Sequence, residues 1–338
     1  MQKKGANNVN WWERVKSFTK SHVGLTVIIV AALLLELTTG GIYYNSQNII
    51  QRTVVKLMER ENNALFLCIR NKLADVEVTL DNMAWVVTDD LAEPDSLTRT
   101  TYQLVGHNPT ILGCCIACIP NYFPQYGRWF ETYSIHRPDS TIETKLLGSA
   151  SHDYTKLEFF TIPTTTGRSY WSEPYLDNAG AEAIVTTYSV PVRDDGGRIV
   201  GVIGADISLG WLYEEINQSK VYQSTQRFLV TGQYNLIAGE DNQLFKAALK
   251  HLKSDSDNKG YVMLEDENGE KWHLFFTPVG GKTDWILLNV LNNNDVLGKL
   301  RDIRLKLMLM AFAGLLLIGF IVWRSKNNLA RLPKVNAE

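Results

Sequence analysis

Two long apolar runs stand at the two ends of an otherwise alternating, polar-rich chain. The first is VGLTVIIVAALLLELTTGGIYY, residues 23–44, and the second is LKLMLMAFAGLLLIGFIVW, residues 305–323. About 20 mostly apolar residues at a helical rise of about 1.5 Å cross a hydrocarbon core of about 30 Å. The pattern therefore predicts two transmembrane helices, 23–44 and, with its lead-in, 299–323. A cleaved signal peptide competes for the first run, but its apolar stretch is long and no A-x-A site follows it. Behind the first run, Val54, Met58, Leu65, Ile69, Leu73, Val76, Leu80, Met83 and Val87 recur at threes, fours and sevens. That spacing predicts one long helix over 45–92, stopped by Pro94.

After Pro94 the period changes to two. ILGCCIACI (111–119), Trp129–Ile135, Ala183–Val192 and Ile199–Ile207 read as strands, the last two joined by the turn Asp194-Asp195-Gly196-Gly197. A second set follows from Arg227, with RFLVTGQYNLIAG, a helical stretch Asn242–Leu252, a hairpin turning at Glu267-Asn268-Gly269, and DWILLNVL. The expected fold class is α+β, with two tandem antiparallel modules carried on the long helix and flanked by the two spans. The expected segments are 1–22, 23–44, 45–92, a membrane-distal module 93–220, a membrane-proximal module 221–298, 299–323 and a tail 324–338.

Charge sets the expected orientation. Lys3, Lys4, Arg14, Lys16 and Lys20 stand against Glu13 before the first span, and Arg324, Lys326, Arg331 and Lys334 against Glu338 after the second. Two basic flanks and an even number of spans place both termini in the cytoplasm and residues 45–304 outside it. Lys299, Arg301, Arg304 and Lys306 point the other way, but a long translocated domain crosses largely regardless of its charge. Trp11, Trp12, Val15 and Phe18 suit a short helix in the lipid interface. The net charge of −2 over 338 residues gives no electrostatic reason to expect nucleic acid.

Residues 170–212, YWSEPYLDNAGAEAIVTTYSVPVRDDGGRIVGVIGADISLGWL, carry a family pattern. It runs W-x-x-P-Y-x-D, an apolar strand ending in P-V, a glycine turn, and G-V-x-G-x-D-I-S-L-x-x-L. HNPTILG and IPNYFPQYGRWFETYS precede it. In this the chain resembles the double-Cache (PDC-like) extracytoplasmic sensor domains of bacterial receptors, of the type fused to serine phosphatases or histidine kinases in Bacteroidetes. The resemblance covers roughly residues 45–300, more loosely in the second module. It implies a PAS-like fold for both modules, a homodimer packed along 45–92, and a small-molecule ligand in the distal module.

In the amine-binding branch of that family an R-x-W-Y motif precedes Y-x-D, the arginine holding a ligand carboxylate and the tyrosine and aspartate surrounding its ammonium. Here the aligned text is LEFF, so Leu157 stands for the arginine and Phe159 and Phe160 for the two rings. Tyr175 and Asp177 keep Y-x-D, Asp206 keeps the later aspartate, and Tyr133 stands for an upstream pocket tyrosine. Without a guanidinium there is no bidentate clamp for a carboxylate. The expected ligand site is thus Tyr133, Phe159, Phe160, Tyr175, Asp177 and Asp206, suited to an amine held by charge and ring faces. A purely structural role stays open: Tyr175 and Asp177 shaping the loop after Pro174, and Asp206 capping the helix near Ser208.

Other candidate chemistry is weaker. Cys114 and Cys118 face one side of a strand and Cys115 the other, poor geometry for a closed metal site. Buried small side chains are expected there, with a Cys68 disulfide as the alternative. The six histidines form no metal spacing, although His136 and His152 flank the expected pocket. No G-x-S-x-G, Walker or H-E-x-x-H motif occurs, so no enzyme, no cofactor and no metal is expected. The tail LARLPKV resembles the start of a HAMP linker. Two readings of function remain: a sensor signalling to a cytoplasmic or membrane partner, or a truncated sensor acting as a structural subunit without a ligand of its own.

Overall fold

In the computed structural model, residues 23–218, 220–254, 260–266 and 268–329 are described. The expected interfacial helix around Trp11 and Trp12, the end of the basic tail and Glu267 of the hairpin turn lie outside them. Helix α1 (Val23–Asp89) runs unbroken through the first apolar segment and the periodic stretch behind it. It ends at Asp89, earlier than the 92 expected. Pro94 is not its stop but the first residue of α2 (Pro94–His107), where a missing N–H costs nothing. The windows Thr26–Ser46 and Asp302–Phe320 are long and apolar enough to cross a membrane. The second of these lies in the last helix, α6 (Asn293–Leu329).

Residues 57–293 form one compact unit. Its first sheet contains β1 (Gly113–Cys118), β2 (Glu131–His136), β3 (Ile142–Leu146), β4 (Tyr170–Trp171), β5 (Tyr175–Asp177), β6 (Ala183–Arg193) and β7 (Ile199–Ser208). The order is β3-β2-β1-β7-β6-β4, with β5 also paired to β6. The β6–β7 hairpin turns at Asp194–Gly197, where Gly197 takes φ of 78° and the Asp194 carboxylate accepts from Arg198 N–H. The second sheet, β10-β11-β12-β8-β9, contains β8 (Gln226–Val230), β9 (Leu236–Ala238), β10 (Gly260–Glu265), β11 (Lys271–Pro278) and β12 (Ile286–Asn292). Helices α3 (Glu158–Thr166), α4 (Leu209–Asn217) and α5 (Gln243–Ser254) complete the unit. Both sheets are antiparallel throughout.

Alternation sorts the side chains of the first sheet onto two faces. Cys114, Ile116, Cys118, Tyr188, Ile203, Ala205 and Ile207 pack with Ile69, Leu73, Val76, Leu80 and Val87 of α1 and with Leu97, Leu104 and Val105 of α2. The same core takes in Leu229, Ile237, Val279, Trp285 and Leu287 of the second module. The two modules therefore share this core, and the second builds a further one between its own sheet and α5. Cys115, Ala117, Tyr133, Ile135, Val185 and Val202 face the other way, under α3 and its flanking loops. All four cysteines are free thiols, and Cys68 donates to Glu215 at 3.0 Å instead of forming a disulfide.

Candidate functional site

The second face of the first sheet carries polar side chains at its centre. Asp206 on β7 lies opposite Thr187 on β6 and Gly113 on β1, and Cys115 lies opposite Tyr133 on β2. Gly113 leaves room for the Tyr133 ring to reach across the strand: a Cβ there would sit 2.0 Å from the Tyr133 hydroxyl. That hydroxyl donates to Asp206 Oδ2 at 2.8 Å, and Thr187 Oγ1 donates to Oδ1 at 2.6 Å. Tyr175 Oη lies 2.8 Å from the same Thr187 oxygen. One tyrosine and a threonine thus donate to one buried carboxylate, and a second tyrosine joins them through the threonine.

Asp177 closes its own loop. Its Oδ1 accepts from Ala179 and Gly180 N–H at 3.1 Å each, and its Oδ2 from Ala181 N–H at 2.6 Å. Gly180 is required here, because a Cβ would lie 2.6 Å from Asp177 Oδ2 and 2.8 Å from the Tyr133 ring. The Phe159 and Tyr175 rings stack at 6.5 Å with 14° between planes. These groups, with Glu131, His152, Leu147 and Leu157, line a cavity of about 10 Å³, the room of a single water.

Five of the six expected residues therefore meet in one place: Tyr133, Phe159, Tyr175, Asp177 and Asp206. Phe160 does not line the cavity. It points into the core and meets Tyr154 edge-on at 5.2 Å. One helical step from Phe159 turns it away, because successive helical residues differ by about 100°. Asp206 is not a helix cap either. Ser208 caps α4, accepting from Trp211 N–H. Leu157 lines the cavity, and no Lys or Arg is among the described lining residues.

Glu131 and Thr187 escaped the sequence reading, yet a signal existed. Glu131 precedes Tyr133 by two on one strand, and so shares its face. His152 Nε2 lies 3.0 Å from Glu131 Oε2, whereas His136 bonds instead to the Val105 carbonyl.

Electrostatics follow from burial. Desolvation, reinforced by Asp177, pushes the Asp206 carboxyl up to about 7, against the pull of its two hydroxyl donors. Burial likewise raises Glu131, opposed by His152. The hydrogen bond to Glu131 in turn raises His152, against the burial that would lower it. Tyr133, Tyr175 and Cys115 are all held protonated, first by burial and then by the neighbouring acids. Among the described residues, no group of three or more His, Cys, Asp and Glu side chains is arranged to hold a metal ion. The site offers acids, hydroxyls and ring faces around one small cavity.

Residues 97–214 match the family model described as "Methyl-accepting chemotaxis protein-like, first PDC sensor domain". This part of the chain is a PDC, or Cache-like, sensor domain. Over 321 residues the chain is 23% identical to the methyl-accepting chemotaxis protein PctB of Pseudomonas aeruginosa, covering 91% of this chain and 47% of PctB. It is 22% identical to TlpQ of the same organism over 239 residues, covering 60% of this chain and 33% of TlpQ. The chain thus spans about half or less of the curated relatives it matches. The extracellular domain of soHK1S-Z6, described as a histidine kinase, shares the fold with a TM-score of 0.62 at 20% identity, over 74% of this chain and 98% of that one. The ligand-binding domain of PctB, solved with L-Gln, aligns with a TM-score of 0.52 at 20% identity, over 70% and 89%. The periplasmic sensory domain of Campylobacter jejuni Tlp1 aligns at 0.56 and 13%, over 69% and 93%. The tandem-sheet architecture on a long helix, including the second module beyond residue 214, is the fold shared with these solved domains.

Proposed function

We propose that this protein is a two-pass membrane receptor whose PDC domain binds a small organic cation, an amine, outside the cytoplasm. The observation that carries the proposal is the make-up of the distal cavity. Glu131, Asp177 and Asp206 face it together with the stacked rings of Phe159 and Tyr175, and no guanidinium or ammonium lines it. A primary ammonium satisfies carboxylates and hydroxyls at once and gains further from ring faces. The relative solved with L-Gln, the PctB ligand-binding domain, supports a small-molecule ligand. Leu157 argues against a ligand whose carboxylate must be clamped.

The cavity's present size gives the mechanism. About 10 Å³ admits no amine larger than water, so a ligand enters only when the cover, α3 and the loop 147–157, moves off the sheet. Binding then shifts the population between covered and opened arrangements, and α1 and the second module carry that shift toward both spans. The termini are cytoplasmic and 45–304 extracytoplasmic, with the distal module 93–220 receiving and the proximal module 221–298 relaying.

Two chains pair along α1. Ala64, Leu67, Asn71, Val78 and Trp85 are exposed on one seam spaced by three, four, seven and seven, with Leu67 54%, Val78 57% and Trp85 64% exposed. Such a stripe suits a second copy of the same helix.

Titration calorimetry of the full chain in detergent with short primary amines tests the assignment. Wild type should bind and Asp206→Asn should lose most of the affinity. Equal affinity in both would remove the cavity from the proposal.

A further inference from the structure

Three carboxylates and one imidazole share a cavity with room for a single water, and their charges are balanced unequally. Asp177 is 8% exposed and receives three backbone N–H groups. Glu131 is 3% exposed and has His152. Asp206, also 3% exposed, receives only the neutral hydroxyls of Tyr133 and Thr187. The other groups facing it are the Cys115 thiol from β1, the phenol of Tyr175 from β5, and the acids Glu131 and Asp177. Among the described residues, no Lys or Arg lines the cavity beside it.

A proton on Asp206 fits this geometry without any movement. The carboxyl would donate to Thr187 Oγ1 across the 2.6 Å contact, and Thr187 would turn its own hydrogen to Tyr175, 2.8 Å away, a contact in which either oxygen can donate. The chain of hydroxyls simply reverses. An ionised carboxylate in the same place lies beside the Asp177 charge in a medium that screens it poorly.

We propose that Asp206 and its hydroxyl chain form a proton-binding site, so that the covered arrangement of the distal module is held by a proton and the receptor reads pH as well as its organic ligand. The link to signalling rests on the functional reading above; the proton site does not. Burial places the Asp206 carboxyl at about 7, which sets the range in which the site responds. The folded state binds this proton more tightly than the unfolded chain does. Its contribution to stability is therefore complete in acid and is lost as pH rises through about 7.

The test needs no ligand. Thermal midpoints of the full chain in detergent are recorded from about pH 5 to about pH 9 for wild type and for Asp206→Asn. Wild type should lose several degrees relative to the variant as pH rises through the neutral range. A constant difference across that range overturns the proposal. Tyr133→Phe removes a donor that favours the ionised form, and should move the fall to higher pH; an unmoved fall overturns it even where Asp206→Asn fails to fold. Glu131→Gln should keep the fall, and its disappearance there would hand the proton to the Glu131–His152 pair and overturn the assignment to Asp206. A pH-dependent difference seen together with no amine binding supports the proton site and sinks the amine reading alone.

Discussion

Trp285 is the residue on which the unity of the two modules depends most. It precedes β12 in the second module, is 1% exposed, and packs on Trp171 of the first at 5.4 Å between ring centroids. Trp171 in turn donates its indole N–H to Glu77 of α1 at 3.1 Å, and Glu77 pairs with Arg70. Trp285→Ala deletes the largest buried side chain of this junction. A tryptophan of roughly 150–250 Å² at about 25 cal/mol per Å² is worth about 4–6 kcal/mol before relaxation. Measured truncations of this kind cost about 3–5 kcal/mol, so about 4 is expected. For a folded unit of this size each kcal/mol moves the midpoint by about 2–4 °C, giving a fall of roughly 8–16 °C. Scanning calorimetry of the full chain in detergent reads it, and the variant's transition should also broaden or split as the second module loosens first. A midpoint within about 2 °C of wild type, with one sharp transition, would refute the shared core.

Two further outcomes follow from packing alone. Gly113→Ala puts a methyl 2.0 Å from the Tyr133 hydroxyl, so the ring must leave Asp206; about 1–3 kcal/mol of stability should go, along with amine affinity, and calorimetric binding equal to wild type would contradict the site. Leu67→Glu with Val78→Glu places four like charges in the α1 seam of a dimer and should leave monomers by light scattering in detergent, where an undiminished dimer would place the contact elsewhere.

Much of this was legible in the sequence because burial repeats with simple periods. The threes and fours from Val54 to Val87 gave the helix, and the alternation on either side of Asp194–Gly197 gave the β6–β7 hairpin almost to the residue. Two helices were not legible. α2 buries Thr100 and Thr101 beside Leu97, Leu104 and Val105, so two of its five buried residues are polar by composition. α3 holds Pro163 and four threonines, the last three of which bond back to carbonyls one turn earlier. Local propensity argues against both, and packing on the sheet overrides it.

At the site, Tyr133, Tyr175, Asp177 and Asp206 were found through the family pattern. One partner, Thr187, was not, because it meets Asp206 by cross-strand register, which spacing along one strand does not contain; Glu131, two residues before Tyr133 on the same strand, was within reach of that spacing. Phe160 was misplaced for the converse reason. A motif aligned as text carries no helical phase, and α3 turns that ring into the core.

A matched pair of ligands tests the central claim most directly: a short primary amine and the neutral alcohol of the same shape, added to the full chain in a thermal-shift measurement near neutral pH. An amine at about 100 times its dissociation constant adds about 2.7 kcal/mol, or roughly 5–10 °C, while the alcohol leaves the midpoint where it was. Equal shifts from both, or none from any amine offered, would contradict an acidic cavity built to hold a cation.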